Sequence, residues 1–359
     1  MPPLPYAPRD YDPRRIAYAA ELAEGTGRFH EPRREDCPWC GSGRLRTRLR
    51  APDLMQHKPG TFVLDQCRDC GHVFQNPRLT GAGLAFYHRD FGEDDARGPA
   101  ERVLAAARGD RRHRTVAHLM RNVGEPESWL DVGTGHAHFP RAAREVFPYT
   151  SFDGLDPTLR VVRARDAGWI EEAHVGHLAD PHLVARLRAR YDVVSVFQHL
   201  AHVPDPRAEL DAALAVLRPG GHLLIELPDP RSVFALLLGR WWLSHGQPRH
   251  LHLLPPSNLC AELEARGCTV LVVDRRGPHT PYDLAAALAL AVTHALPAPD
   301  APWHPEPAGG PRCLLRAVLT GAAGPLVAAA AAVDHALAPL LRRTPFSNAY
   351  RVVARRDTA

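Results

Sequence analysis

Four cysteines in two close pairs are the residues of this chain best suited to hold a metal. Cys37-Pro38-Trp39-Cys40-Gly41 and Cys67-Arg68-Asp69-Cys70-Gly71 are separated by 26 residues. Two such knuckles folding together present four thiolates tetrahedrally to zinc, and a complete sulfur set leaves no position open for a reacting water. The expected metal is therefore a structural Zn2+ on Cys37, Cys40, Cys67 and Cys70, with His57 and His72 as bystanders. A redox role would need a thioredoxin-like setting that the flanking sequence lacks. Cys260, Cys268 and Cys313 are scattered. An odd total of 7 cysteines points to reduced thiols and a cytoplasmic compartment.

A second chemical site is written at a strand-to-helix turn. Apolar Trp129-Leu130-Asp131-Val132 runs into Gly133-Thr134-Gly135-His136-Ala137-His138, where glycines let the backbone approach a ligand closely. A dinucleotide turn would need a third glycine where His138 stands. Asp156 ends the next apolar run. Proton transfer points to histidine, whose unperturbed pKa is about 6.5. His199 and His202 follow the run Tyr191 to Phe197, and His245, His250 and His252 lie in an aromatic stretch with Trp241 and Trp242.

These residues need elements to position them. Short apolar runs at Trp129–Val132, Ser151–Leu155, Ala173–Val175, Tyr191–Phe197, His222–Leu227 and Thr269–Val273 alternate with helical stretches, which argues for a parallel sheet flanked by helices. The helix over Pro206–Leu217 should stop at Arg218-Pro219-Gly220-Gly221, and a last strand is expected at Tyr350–Ala354. The expected division is a Pro-rich arm and short helix over 1–34, a zinc ribbon over 35–80 and a helical linker over 81–125. The sheet domain takes 126–276 and 346–359, and a helical insertion takes 277–345. Within that insertion, helical patterns cover Leu284 to Ala295 and Leu326 to Leu340, with a Pro-rich loop from Leu296 to Pro311 between them.

Composition narrows the function. At 359 residues the chain holds about two domains. With 45% hydrophobic and 23% charged residues it is not disordered. Lys+Arg 44 against Asp+Glu 40 gives +4, and the absence of a basic stripe interleaved with aromatics argues against nucleic acid. With 21 histidines, no single one is informative by type alone. The N-terminus lacks the apolar run of a secretion signal. The apolar stretch Pro325–Leu341 is 17 residues long, short of the roughly 20 of a spanning helix, so no transmembrane segment is expected.

Taken in order, these motifs resemble the class I (Rossmann-like) S-adenosylmethionine-dependent methyltransferases. Asp131-Val132-Gly133-Thr134-Gly135-His136-Ala137 is similar to their first motif, Asp-x-Gly-x-Gly-x-Gly, with Ala137 replacing the last glycine. Tyr191-Asp192-Val193-Val194, His199-Leu200-Ala201-His202-Val203-Pro204-Asp205-Pro206 and Leu217-Arg218-Pro219-Gly220-Gly221 resemble later motifs. The resemblance implies a doubly wound, mostly parallel sheet and a cofactor held by Asp131, Gly133, Gly135, Asp156, Leu178 and Phe197. Some quinone O-methyltransferases of the superfamily bring a divalent metal to this region. Ala201 stands where their glutamate would be, which disfavours a catalytic magnesium, and Glu226 and Asp229 read as structural or cleft carboxylates.

His72-Val73-Phe74-Gln75-Asn76-Pro77-Arg78-Leu79-Thr80 and Phe86-Tyr87 are similar to bacterial methyltransferases of sugars or secondary metabolites that carry an N-terminal zinc ribbon. That likeness implies a small-molecule acceptor near Tyr87, Trp241, Trp242 and His245, with His250 as general base and His199 and His202 as the next candidates. Related sugar C-methyltransferases place a Glu-His pair where this chain has Arg249-His250. Two other readings are an RNA methyltransferase using the ribbon to grip RNA and a non-catalytic cofactor-binding module. Neither the acceptor, the choice of oxygen, nitrogen or carbon, nor the oligomeric state is written in the sequence.

Overall fold

The strands and helices follow from the motif spacing. The computed structural model describes residues 12, 14–91, 99–107, 110–344 and 346–358. Most of the expected Pro-rich arm, residues 1–11 and 13, lies outside them. Helix α1 (Arg14–Leu22) precedes the cysteine region, which forms β1 (Leu45–Ala51), β2 (Phe62–Cys67) and β3 (Val73–Gln75). Helices α2 (Gly81–His88), α3 (Pro99–Ala107) and α4 (Asp110–Met120) bridge to the main sheet.

The main domain then alternates β4 (Ser128–Val132), α5 (His138–Ala143), β5 (Ser151–Asp156), α6 (Arg160–Asp166), β6 (Ala173–Val175), α7 (Pro181–Leu187), β7 (Tyr191–Phe197), α8 (Pro206–Val216) and β8 (Leu217–Pro228). The remaining elements are α9 (Val233–Leu237), β9 (His252–Leu253), α10 (Pro256–Ala265), β10 (Cys268–Asp274), α11 (Asp283–Ala295), α12 (Gly310–Leu341) and β11 (Ala349–Arg356).

The seven-stranded sheet has the order β10-β11-β8-β7-β4-β5-β6. β6, β5, β4, β7 and β8 are parallel, and β11 runs antiparallel to both β8 and β10. Order reverses at β4, so the crevice beyond the carboxyl ends of β4 and β7 is where such a sheet takes a ligand. Both faces are covered. One core holds Leu130, Val194, Leu210, Ile225 and Leu259, and the other holds Trp129, Phe139, Phe147, Phe152 and Val353. Asp205 starts α8 by accepting from the amides of Arg207 and Ala208, and Pro206 suits the first turn because it has no N–H to satisfy.

The helix before Arg218-Pro219-Gly220-Gly221 ends at Val216, as expected, and these four residues form the first part of β8. Pairing there skips from Tyr191–Leu217 to Val193–His222, and Gly220 takes φ 79° in the irregularity. The cysteine region shares its sheet with the main domain, because β3 pairs with β9. The last helix does not begin near Leu326 but at Gly310. It runs for 32 residues through Pro325, and by length and composition it is long and apolar enough to cross a membrane.

Candidate functional site

The two cysteine knuckles close on each other. The four Sγ atoms of Cys37, Cys40, Cys67 and Cys70 lie within 4.8 Å of one another, with Cys37 to Cys70 at 3.7 Å and Cys40 to Cys67 at 3.6 Å. Gly41 and Gly71 adopt φ 73° and 74°, a left-handed turn that returns each chain behind its thiols. The Trp39 amide donates to Cys37 Sγ at 3.4 Å, a contact that favours a negatively charged sulfur. Four soft donors in one cluster fit zinc. His72 lies 3.7 Å from Cys37 Sγ, buried and stacked on His252, beside the sulfur set and not part of it.

At the main sheet, β4 delivers Gly133 and Gly135 at φ 71° and 53°, and Ala137 adopts φ 54° despite its side chain. The Gly135 amide donates to Asp156 Oδ2 at 3.0 Å, while the Thr158 amide and hydroxyl hold Oδ1 at 2.8 and 2.5 Å. Asp156 is thereby fixed at the end of β5 against the turn from β4. A side chain on Gly135 would enter open space, which is where a ligand can lie against the backbone. A side chain on Gly133 would come within 2.9 Å of His199 Nδ1, so the turn and His199 are in direct contact.

Asp131 is buried beneath this turn, accepts from Ser195 Oγ at 2.6 Å, and is pushed up to about 7 by burial. Leu178 is fully buried in the core, and Phe197 is half-buried against Phe139 with ring centroids 4.6 Å apart.

The histidines gather beyond β7. His199 Nε2 lies 2.7 Å from Glu209 Oε1, a buried carboxylate on α8. His202 Nδ1 is 3.2 Å from the Arg249 carbonyl, and His250 Nδ1 is 2.9 Å from the Ser244 carbonyl. Each of these nitrogens must carry the proton, because a carbonyl only accepts. His202 stands edge-on to His250 at 4.6 Å and to His88 at 5.7 Å. Burial, then the neighbouring His250, holds His202 well below the usual imidazole range, and burial takes His88 to about 4. The His250 ring packs on Gly246, where any side chain would strike it.

The other acceptor-side candidates sit elsewhere. The Tyr87 hydroxyl donates to the Pro59 carbonyl at 2.6 Å within a buried aromatic cluster of Phe29, Phe62 and Phe86. Trp242 donates to Asp283 Oδ1 at 2.8 Å, and Trp241 lies edge-on to His294. His245 is buried with Nδ1 on the Gly239 carbonyl, and burial takes it to about 3. Of these four, His245 stands near His250, which its neighbour Ser244 holds through the carbonyl. Glu226 is paired with the buried Arg351 at 2.7 Å and Asp229 with Arg275 at 2.7 Å.

Residues 105–273 match a family described as methyltransferase domain. The ubiquinone biosynthesis O-methyltransferase of Aeromonas salmonicida is 31% identical over 159 residues, covering 42% of this chain and 65% of that protein. That of Bordetella avium is 28% identical over 147 residues, covering 38% and 60%. The chain thus spans less than two thirds of the length of these relatives. Among solved structures, a SAM-dependent methyltransferase from Archaeoglobus fulgidus superposes with a TM-score of 0.40 at 14% identity, covering 68% of this chain and 94% of that one. Over residues 105–273 the chain is therefore similar to methyltransferase domains.

Asp156 carries the sequence expectation of a ribose-binding carboxylate. Asp156→Ala is expected to weaken S-adenosylmethionine binding by about 1.5–3 kcal/mol, the range for hydrogen bonds to a charged group. Unchanged affinity in a folded variant, measured by equilibrium dialysis, would show that this carboxylate serves only the turn.

The partners of the candidate histidines and of Arg249 were not legible in the sequence. Glu209 gives no sign in the sequence that it meets His199, and His88 lies in a helix whose role is unreadable without the fold. Arg249 offered one signal, since it replaces the glutamate of the related pair. It is buried, with Asp53 oxygens at 3.4 and 3.5 Å, Gln56 Oε1 at 3.2 Å and the Phe91 ring under it at 4.0 Å. Asp53→Ala strands this guanidinium and is expected to cost about 3–5 kcal/mol in urea unfolding. The double variant Asp53→Ala/Arg249→Met is expected to recover most of that loss.

Proposed function

We propose that this protein transfers a methyl group from S-adenosylmethionine to a small molecule of the sugar or secondary-metabolite class, with His250 as general base and zinc as a structural tie in the ribbon. The observation that carries the proposal is the contact of His199 with the open Gly133–Gly135 turn, backed by Asp156, with the His202–His250 pair nearby. It supports a donor site and a proton-accepting site side by side. The names of the curated relatives support a hydroxyl oxygen as nucleophile. Cys260, Cys268 and Cys313, all unpaired, support a reducing cytoplasmic setting.

When bound, S-adenosylmethionine supplies a sulfonium methyl carbon open to in-line attack. Asp156 accepts from the ribose hydroxyls, and Gly133 and Gly135 leave room for the donor against the backbone. The Ser244 carbonyl fixes the His250 tautomer with its proton on Nδ1, which makes Nε2 the nitrogen with a lone pair. Nε2 holds the proton that the acceptor hydroxyl gives up as its oxygen takes the methyl group. Ala201 offers no carboxylate to a metal beside this site. Cys37, Cys40, Cys67 and Cys70 would hold zinc, with a structural role.

His199 is favoured as base in a second reading by one observation, its 2.7 Å contact with buried Glu209. An acid that holds Nε2–H leaves Nδ1 unprotonated, and Nδ1 is the atom against Gly133. The proposal is tested by S-adenosylhomocysteine release from purified protein supplied with pools of phenols, hydroxylated metabolites or sugars, with bulk RNA in parallel. Release on a small-molecule pool, with a product heavier by one methylene, supports it. Methylation of RNA alone contradicts it.

A further inference from the structure

Helix α12 has the wrong outer face for a helix in water. Its inner stripe is fastened to α11, where the buried Asp334 carboxylate accepts from the Leu284 and Ala285 amides at 3.0 and 2.9 Å and Arg316 donates to the Thr293 carbonyl at 3.3 Å. The outer face carries Leu315, Val318, Leu326, Val333 and Leu340, each 47–62% exposed. No charged residue stands between Arg316 and Asp334, and none of the most apolar 18-residue window is buried. A surface helix normally sets charge opposite its buried stripe, and a helix apolar on all sides belongs in a core or in lipid. The patch does not end with α12. Phe234 of α9 packs in one cluster with Leu341, and the next exposed residues of α9 are Leu236 and Leu237, at 72% and 76%.

We infer that the outer face of α12, continued by Leu236 and Leu237, docks on an anionic phospholipid surface with the helix lying in the plane of the interface. Charge selects this occupant over a second copy of the chain. Exposed Arg312 stands at one end of α12 and exposed Arg342 and Arg343 at the other, while its one acid, Asp334, is buried. Pairing two copies of the helix, parallel or antiparallel, would set arginines against arginines with no exposed acid on either helix to answer them. Anionic headgroups answer both ends at once, and apolar side chains between them enter the acyl boundary. The fastening to α11 decides between lying and crossing. A crossing helix would have to leave α11 and carry Asp334 and Arg316 into the hydrocarbon without their partners.

The test is co-sedimentation of the full chain with vesicles of phosphatidylcholine alone and of phosphatidylcholine with about a third phosphatidylglycerol. Binding to the anionic vesicles that weakens with salt is the expected result. Leu315→Glu/Val318→Glu/Leu326→Glu is expected to reduce it by about tenfold or more. Arg312→Gln/Arg343→Gln leaves the apolar face intact and is expected to bring binding on anionic vesicles down toward that on phosphatidylcholine, with the melting temperature unchanged. This second variant carries the test if the first fails to fold. The inference is overturned if the protein stays in the supernatant, if it forms a concentration-dependent dimer in place of vesicle binding, or if both variants pellet like the wild type.

Discussion

Replacing His250 with alanine is expected to lower methyl transfer by about 10²–10⁴-fold, the usual contribution of a positioned general base, with S-adenosylmethionine affinity nearly unchanged. The split follows from position. His250 is held by the Ser244 carbonyl, the backbone of Gly246 and the edge of His202. It makes none of the contacts that fix the Gly135–Asp156 corner. A structural role would predict a different pattern, with loss of stability in urea unfolding in proportion to loss of rate. Steady-state kinetics of His250→Ala beside His199→Ala and Glu209→Gln separates the two candidate bases. Full turnover in His250→Ala with collapse in the other two would move the base to the His199–Glu209 pair. Retained activity in all three would leave alignment of donor and nucleophile as the main source of rate.

Removal of zinc is expected to have the largest effect on stability. Closed thiolate sites supply roughly 10–16 kcal/mol in small modules, more than the net stability of most domains. Elemental analysis is expected to find one zinc per chain, and Cys40→Ser is expected to open the ribbon to limited proteolysis. The damage should not stop there. β3 of the ribbon pairs with β9, the Gln75 side chain donates to Gln247 and to the Pro248 carbonyl at 2.8 and 3.0 Å, and Asp53 from the same region answers Arg249. If the proposed site is right, loss of metal costs turnover before it costs cofactor binding, because the stretch around His250 packs on the ribbon through β9, Gln247 and Arg249. A metal-free preparation that keeps its ribbon intact under protease would contradict the zinc assignment.

The strand-to-helix turn at Gly133 and Gly135 and the position of Asp156 at a strand end were legible because their signals are local: each strand of the main sheet is a short apolar run, and these residues stand at the run's end. The surroundings of the candidate histidines were legible in part. His199, His202 and His250 were singled out, but the bonds that orient them come from Glu209, the Arg249 carbonyl and the Ser244 carbonyl. β9 is 2 residues long and has no strand signature, so its pairing with β3 could not be read from the sequence. Asp53 and Arg249 are 196 positions apart, and only the assembled fold makes them partners. Tyr87 shows the reverse limit. An aromatic after a zinc ribbon fits a substrate wall or a core equally well by sequence, and here its hydroxyl is spent on the Pro59 carbonyl.

Calorimetric titration of the zinc-loaded protein with S-adenosylhomocysteine tests the central claim most directly, because it needs no acceptor. The account predicts saturable binding of one ligand per chain, competed by S-adenosylmethionine, and weakened by roughly 10–150-fold in Asp156→Ala, the fold-change that matches the expected loss of hydrogen bonds. A folded, zinc-loaded protein that takes up no S-adenosylhomocysteine would contradict it.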